Sequence, residues 1–130
     1  MDNDHSVPTA GRVVIVEDEL LVAMDMEDFL SDHSWDVVAT VPTAAKALAA
    51  LDAHDPDIVI LDLNLNGEST LPVVRELKKR NTAFIVVSGY GDLRSSDPLL
   101  SDVTILSKPW NPDLLLKELR RHMPTAHKQA

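Results

Sequence analysis

The chain has 130 residues, 45% hydrophobic and 25% charged, and its 21 acids against 12 bases give a formal charge of -9. That length suits one domain with a sizeable core; an aromatic content of 4% makes the core aliphatic, and the acidic balance argues against binding a nucleic-acid backbone, which needs clustered Lys and Arg. The absence of cysteine excludes disulfides, zinc thiolates and thiol catalysis, no apolar run approaches the ~20 residues of a membrane helix, and Met1-Asp2-Asn3-Asp4 is no signal peptide, so a cytoplasmic protein is expected.

Residues 1–10 are polar, contain Pro8 and read as a loose tail. Arg12 to Val16 is a short buried strand closed by Glu17-Asp18-Glu19. A helix fits from about Glu19 to Ser31, with Val22, Met26, Phe29 and Leu30 on one face and acids in its first turn. Trp35 to Val41 is a second strand. Thr43 then caps a helix whose stripe is Ala44, Ala47, Leu48 and Leu51. Ile58 to Asp62 is a third strand, apolar throughout and ended by a carboxylate. Asn64 to Glu68 reads as a polar loop with Gly67 as its pliable point. Ser69 or Thr70 caps a helix carrying Leu71, Val74 and Leu77 and ending in Lys78-Lys79-Arg80.

Phe84 to Ser88 is the fourth strand. Gly89 to Asp102 is expected to be the weakest helix: Leu93, Leu99 and Leu100 line it, but Asp97-Pro98 interrupts it. Asp102 to Ser107 is the fifth strand. Asn111-Pro112 opens a last helix to about His122, with Leu115 or Leu116, Leu119 and Met123 facing inward. Strands and helices thus alternate five times, a (βα)5 pattern that predicts a flavodoxin-like, doubly wound, five-stranded parallel sheet in three α/β/α layers. The expected domain covers residues 11–123, with tails at 1–10 and 124–130.

Open α/β sheets place their chemistry at the carboxyl ends of the strands. At that edge this chain puts Glu17 and Asp18, then Asp62, then Ser88, then Ser107-Lys108-Pro109. Like-charged carboxylates at about 4 Å repel by roughly 4 kcal/mol per pair at an effective dielectric near 20. A divalent cation with oxygen ligands is the natural compensation, and Mg²⁺ takes one or two carboxylates plus waters. Lys108 supplies a fixed positive charge and Ser88 a neutral donor. A carboxylate facing a metal, an ammonium and a hydroxyl is equipped for phosphoryl transfer, as nucleophile.

These residues resemble the receiver domain of two-component response regulators, the CheY-like family, over about residues 11 to 123. The carriers are Val-Val-Ile-Val-Glu-Asp-Glu at 13–19, Val-Ile-Leu-Asp-Leu at 59–63, Val-Val-Ser-Gly-Tyr at 86–90 and Leu-Ser-Lys-Pro-Trp at 106–110. The resemblance implies that Asp62 is the phosphoacceptor. It makes Asp18 a direct ligand of Mg²⁺ (or Mn²⁺), Glu17 a ligand through water, and the carbonyl of Asn64 the third protein ligand. Ser88 would bond the new phosphoryl group, Lys108 would be the family's cation, and the 108–109 bond would be cis. Gly89, Tyr90, Ile105 and Pro109 are the switch candidates. Ile105 stands where the family usually has Tyr or Phe, and Asn66 where it often has proline.

Ser88-Gly89-Tyr90-Gly91, with Asp62 to Glu68, resembles the subset with a Thr/Ser-Gly-Tyr-Gly motif, many of whose members work with HWE or HisKA2 sensor histidine kinases. The expected partner is such a kinase or a histidine phosphotransfer protein, with no nucleic acid and no membrane. The chain ends soon after the last helix, so docking as a stand-alone relay, or service as a phosphate sink, is the expected output. Ser88 has the alternative of satisfying local backbone groups, and Tyr90 that of an amphipathic surface residue. Trp110 reads as packing that steadies the Lys108 loop, and the five histidines lack ligand spacing. A Mg²⁺-dependent aspartyl phosphohydrolase is the rival, weakened because Asn64 replaces a second acid. A pseudo-receiver that only binds partners is the other.

Overall fold

The computed structural model describes residues 9–89 and 97–123. In chain order the elements are β1 (Gly11–Val16), α1 (Leu20–Asp32), β2 (Trp35–Val41), α2 (Ala44–His54), β3 (Ile58–Asp62), β4 (Asn64–Leu65), β5 (Glu68–Ser69), α3 (Leu71–Arg80), β6 (Ala83–Ser88), a 3₁₀ turn (Pro98–Leu100), β7 (Ile105–Ser107) and α4 (Pro112–His122). Five strands form one sheet in the order β2-β1-β3-β6-β7, and every neighbouring pair is parallel. This is the flavodoxin-like, doubly wound arrangement that the alternation predicts.

The period of two along each strand divides the core between the two faces. Val14, Val16, Val59 and Leu61 join Ala47, Leu51, Val74 and Leu77 under α2 and α3. Val13, Ile15, Ile58 and Ile60 join Met26, Leu30, Leu115 and Leu119 under α1 and α4. β3 lies between β1 and β6 and is buried at all five positions, which is why its sequence is apolar up to the terminal Asp62. Thr43 caps α2 by accepting from the Lys46 N–H at 3.1 Å, and Asn111 caps α4 by accepting from Leu114 at 3.0 Å.

Several local expectations are corrected. α1 begins at Leu20, so no acid lies in its first turn. The N–H of Glu19 goes instead to Glu17 Oε2 at 3.0 Å. Ala23 joins Met26 and Leu30 in the core, whereas Val22 and Phe29 are half-buried. Asn64 to Glu68 is not an open loop: β4 and β5 pair antiparallel, with Asn66 at φ 52° and Gly67 at φ 94° in the turn. Only residues that tolerate positive φ close so short a hairpin. Glu68 reaches from it to accept the Ala44 N–H at the start of α2, at 3.2 Å.

Of the two hydroxyls expected to cap α3, Ser69 meets the helix and Thr70 does not. Thr70 stands at the cap position and its carbonyl accepts from Val74 N–H at 3.0 Å, but its hydroxyl makes no bond to the helix, while the Ser69 hydroxyl accepts from Leu71 N–H at 3.1 Å. The fifth strand starts at Ile105 rather than Asp102. Asp102 pairs with Lys78 at 2.9 Å instead. Between β6 and β7, the only regular element among the described residues is the 3₁₀ turn. Asp97 accepts from Leu99 N–H at 2.9 Å, so Pro98 opens this turn rather than interrupting it. Leu93, Tyr90 and both tails beyond residues 9 and 123 lie outside the described residues.

One packing prediction follows from β1. A Cβ placed on Gly11 would stand 2.8 Å from Trp35 Cζ3 and 3.3 Å from Met123 Cε. Trp35 is itself buried. Gly11→Ala is therefore expected to destabilise by about 1–3 kcal/mol through overpacking, read as a lower urea midpoint at unchanged slope.

Candidate functional site

β1 and β3 are neighbours at the centre of the sheet, with Val16 paired to Leu61. The strand order reverses here, because the chain goes from β1 outward to β2 and then returns to β3 on the other side. Side chains one step beyond these pairs emerge together at the carboxyl edge, where the backbone leaves room for a ligand. Glu17 follows β1, its N–H donating to Val41 O at 3.0 Å. Asp62 ends β3. Both carboxylates are 6% exposed. Glu17, Asp18 and Asp62 each bring an oxygen to within 4.8 Å of the others.

Lys108 enters from the end of β7. Its N–H donates to Ser88 O at 2.8 Å, tying the loop to the end of β6, and the Lys108–Pro109 bond is cis. Its Nζ donates to Asp62 Oδ2 at 2.6 Å and pairs with Glu17 Oε1 at 3.0 Å, with Glu19 Oε1 farther off at 4.0 Å. Trp110 packs edge-on against Phe29 with ring centres 5.4 Å apart, so the loop rests on α1.

Burial disfavours the charged form of both groups, but the balance with their partners differs. Burial lifts the Glu17 carboxyl above its ordinary value, against hydrogen bonds from Glu19 N–H and Lys108 that pull it down. Burial also works against the Lys108 ammonium, but the bonds to Asp62 and Glu17 outweigh it and hold Lys108 above its ordinary value.

The donor set fits a hard divalent cation. Three carboxylates around one ammonium leave two negative charges in excess, and every donor is an oxygen. Asp62 keeps accepting capacity: Oδ2 takes Lys108 at 2.6 Å and Oδ1 takes the Asn64 N–H at 3.1 Å, and a carboxylate has about four lone-pair sites. The open cavity at this point measures about 360 Å³ and is bordered by Asp18, Asp62, Asn64, Gly89 and Lys108.

Among the residues expected here, Glu17, Asp18, Asp62 and Lys108 are brought together, and Asn64 touches Asp62 through its backbone. Ser88 is fully buried at the end of β6, and its hydroxyl donates to Gly89 O at 3.4 Å, the local backbone bond that was its alternative reading. Pro109 follows Lys108 into the neighbouring cavity, beside Trp110 and Val22. Ile105 pairs with Val86 on the other flank of the sheet edge and packs half-buried against the α2–α3 core. Tyr90 lies outside the described residues.

Three residues were missed. Glu19 borders the cavity and faces Lys108; as the third acid of its run it was read only as a helix start. Asn66 also borders the cavity. Thr70 stands directly behind Asp62, its hydroxyl donating to the Asp62 carbonyl at 2.7 Å. A hydroxyl beside a helix start reads as a cap, and nothing in the sequence redirects it.

Comparison with known proteins agrees with this fold. The response regulator receiver domain matches residues 13–120. The transcriptional regulatory protein PdtaR of Mycobacterium tuberculosis is 31% identical over 86 residues, 66% of this chain; the alignment takes in 41% of PdtaR. The chain thus matches less than half the length of that relative. The solution structure of SdrG from Sphingomonas melonis Fr1 superposes with a TM-score of 0.76 at 38% identity, covering 89% of this chain and 97% of SdrG. The receiver domain of Erythrobacter litoralis PhyR gives 0.79 over 94% and 95% of the two chains; its 21% identity speaks for the fold alone.

Proposed function

Because the chain belongs to the response regulator receiver domain family, we propose that Asp62 is its phosphoacceptor and that a histidine kinase, or a histidine phosphotransfer protein, is its donor. Receiver domains are phosphoacceptors of two-component systems, bind Mg²⁺ at an acidic pocket and typically carry no enzymatic turnover on other substrates. The observation that carries the reading is the pairing of a buried Asp62 with Lys108 at 2.6 Å inside the Glu17–Asp18–Asp62 cluster.

A carboxylate oxygen of Asp62 forms the new P–O bond as the P–N bond to the donor imidazole breaks, and the leaving nitrogen keeps the electron pair. Lys108 holds Asp62 in place and offers its ammonium to the incoming equatorial oxygens. Asp18, Glu17, Asp62 and the Asn64 carbonyl would hold Mg²⁺, which offsets the charge that phosphoryl transfer concentrates there. The product adds about -1.5 to -2 of charge. Ser88 is the hydroxyl within the sheet edge that would rotate from Gly89 O to the phosphoryl group.

The donor surface proposed is the rim formed by the start of α1. Leu20, Leu21 and Met24 are exposed there at 72%, 75% and 48%, and Glu19 joins this rim to the Asp62 cavity. An apolar helix of the kinase would bury them while delivering its histidine. The Ser88-Gly89-Tyr90-Gly91 motif supports an HWE or HisKA2 kinase as that donor. Ile105, smaller than the usual aromatic, moves the output toward other parts of the edge, and signalling proceeds by docking to a downstream protein or by draining phosphate. The proposed receiver spans 11–123 in the cytoplasm.

The test is intact-mass measurement after incubation with Mg²⁺ and a small phosphoryl donor. Wild type is expected to gain one phosphoryl group and Asp62→Ala none. An adduct that persists in Asp62→Ala, or none in wild type, overturns the reading.

A further inference from the structure

Thr70 occupies the position before α3 where a hydroxyl ordinarily accepts a hydrogen bond from the helix. Here it does something else. The residue is fully buried, and its hydroxyl turns back to donate to the main-chain oxygen of Asp62 at 2.7 Å. Its own N–H donates to Leu63 O at 3.0 Å. Ser69 takes over the helix N–H.

Thr70 therefore closes a ring of backbone that starts and ends at Asp62. Within it Asn64 pairs with Ser69 and Leu65 with Glu68. The Asn64 side chain accepts from Gly67 N–H at 2.7 Å, and the Asn64 N–H holds Asp62 Oδ1 at 3.1 Å. Fixing the Asp62 carbonyl fixes the plane of the peptide that follows it. Few free torsions then separate that plane from Asn64, whose N–H orients one carboxylate oxygen and whose carbonyl is the expected third ligand.

We propose that Thr70 is a positioning residue for phosphoryl transfer: by anchoring the Asp62 carbonyl it sets Asn64 against the Asp62 carboxylate. This rests on the reading of Asp62 as phosphoacceptor. It differs from simple satisfaction of a buried carbonyl, which would affect stability but not the geometry at Asn64.

The experiment compares Thr70→Val, which keeps the shape without the donor, with Thr70→Ser, which keeps the donor, and with Val73→Ala. Val73 is fully buried in the same helix; its N–H donates to the Thr70 carbonyl, a main-chain bond the substitution keeps, and its side chain has no polar group to offer Asp62. Three readouts are taken: hydrogen exchange of the Asn64 amide in metal-free protein, Mg²⁺ affinity from the Asn64 amide shift, and phosphorylation rate by intact mass. Thr70→Val is expected to lose Asn64 protection and to weaken Mg²⁺ binding roughly 10-fold or more, the scale on which losing an outer partner weakens a metal site. Phosphorylation slows in step.

Thr70→Ser is expected to restore all three readouts, and Val73→Ala to leave them near wild type under conditions where each variant is fully folded. Thr70→Cys, a weaker donor of similar size, carries the same comparison if the valine variant does not fold. Wild-type exchange and Mg²⁺ affinity in Thr70→Val overturn the proposal, as does an equal loss in Val73→Ala. If wild type takes no phosphoryl group, the reading of Asp62 fails, while the exchange and Mg²⁺ data still decide the role of Thr70.

Discussion

Lys108→Met is expected to destabilise the metal-free protein by about 2–3 kcal/mol at neutral pH. Removing one partner of a fully buried ion pair costs about 3–5 kcal/mol because the other charge is left unpaired. The Lys108 side chain is 22% exposed, which places the value at or below the lower end of that range. Two nearly buried carboxylates, Glu17 and Asp62, lose their shared cation at once.

The loss should shrink in acid. The folded-state value of Glu17 already stands above 4.5 because of burial, and losing the Lys108 contacts removes two influences that lower it. A carboxyl raised in the folded state binds its proton more readily there than in the unfolded chain. Its charge therefore costs stability progressively as pH rises above 4.5, and the cost is relieved as pH falls through the folded value. Urea denaturation of wild type and Lys108→Met at pH 7.5 and pH 5, in chelator, checks both parts. A difference between the proteins that is unchanged at pH 5 would contradict the assignment to Glu17. Added Mg²⁺ is expected to stabilise wild type by mass action.

Leu61→Ala is expected to cost about 2–5 kcal/mol, the range for truncating a buried leucine. Leu61 is fully buried on the face covered by α2 and α3 and immediately precedes Asp62. The cavity would open between sheet and helices while the Asp62 side of the strand keeps its pairing to β6. Leu114 on α4 is 41% exposed, and Leu114→Ala is expected to stay within about 0.5 kcal/mol, as for other exposed positions. Thermal or urea midpoints for the pair test whether the sheet centre, rather than apolar content, carries stability. Equal effects would refute it.

The site was legible wherever chemistry coincides with periodicity. Glu17 and Asp62 each follow a short apolar, largely β-branched run, Lys108 follows the short strand Ile105-Leu106-Ser107, and a strand end fixes a residue's place on the sheet edge almost without regard to what surrounds it. The hairpin was legible in principle, since Asn66-Gly67 is a strong turn pair. Only two residues flank the turn on each side, too few for a period to emerge, so the stretch has the pattern of a loop. The periodicity places Glu19 in α1, yet the helix starts one residue later because Glu17, turned inward toward Lys108, accepts the Glu19 N–H.

By itself, the order of residues determined the layers, the parallel sheet and the edge on which the acids and the lysine meet. Those follow from local patterns of burial repeated along the chain. Only the tertiary structure decided that Lys108 bridges Glu17 and Asp62, that Glu68 serves α2, and that Thr70 serves Asp62 rather than its own helix. A hydroxyl or carboxylate has several partners within reach of its own segment, and the choice among them depends on which distant backbone group packing brings near and leaves unsatisfied.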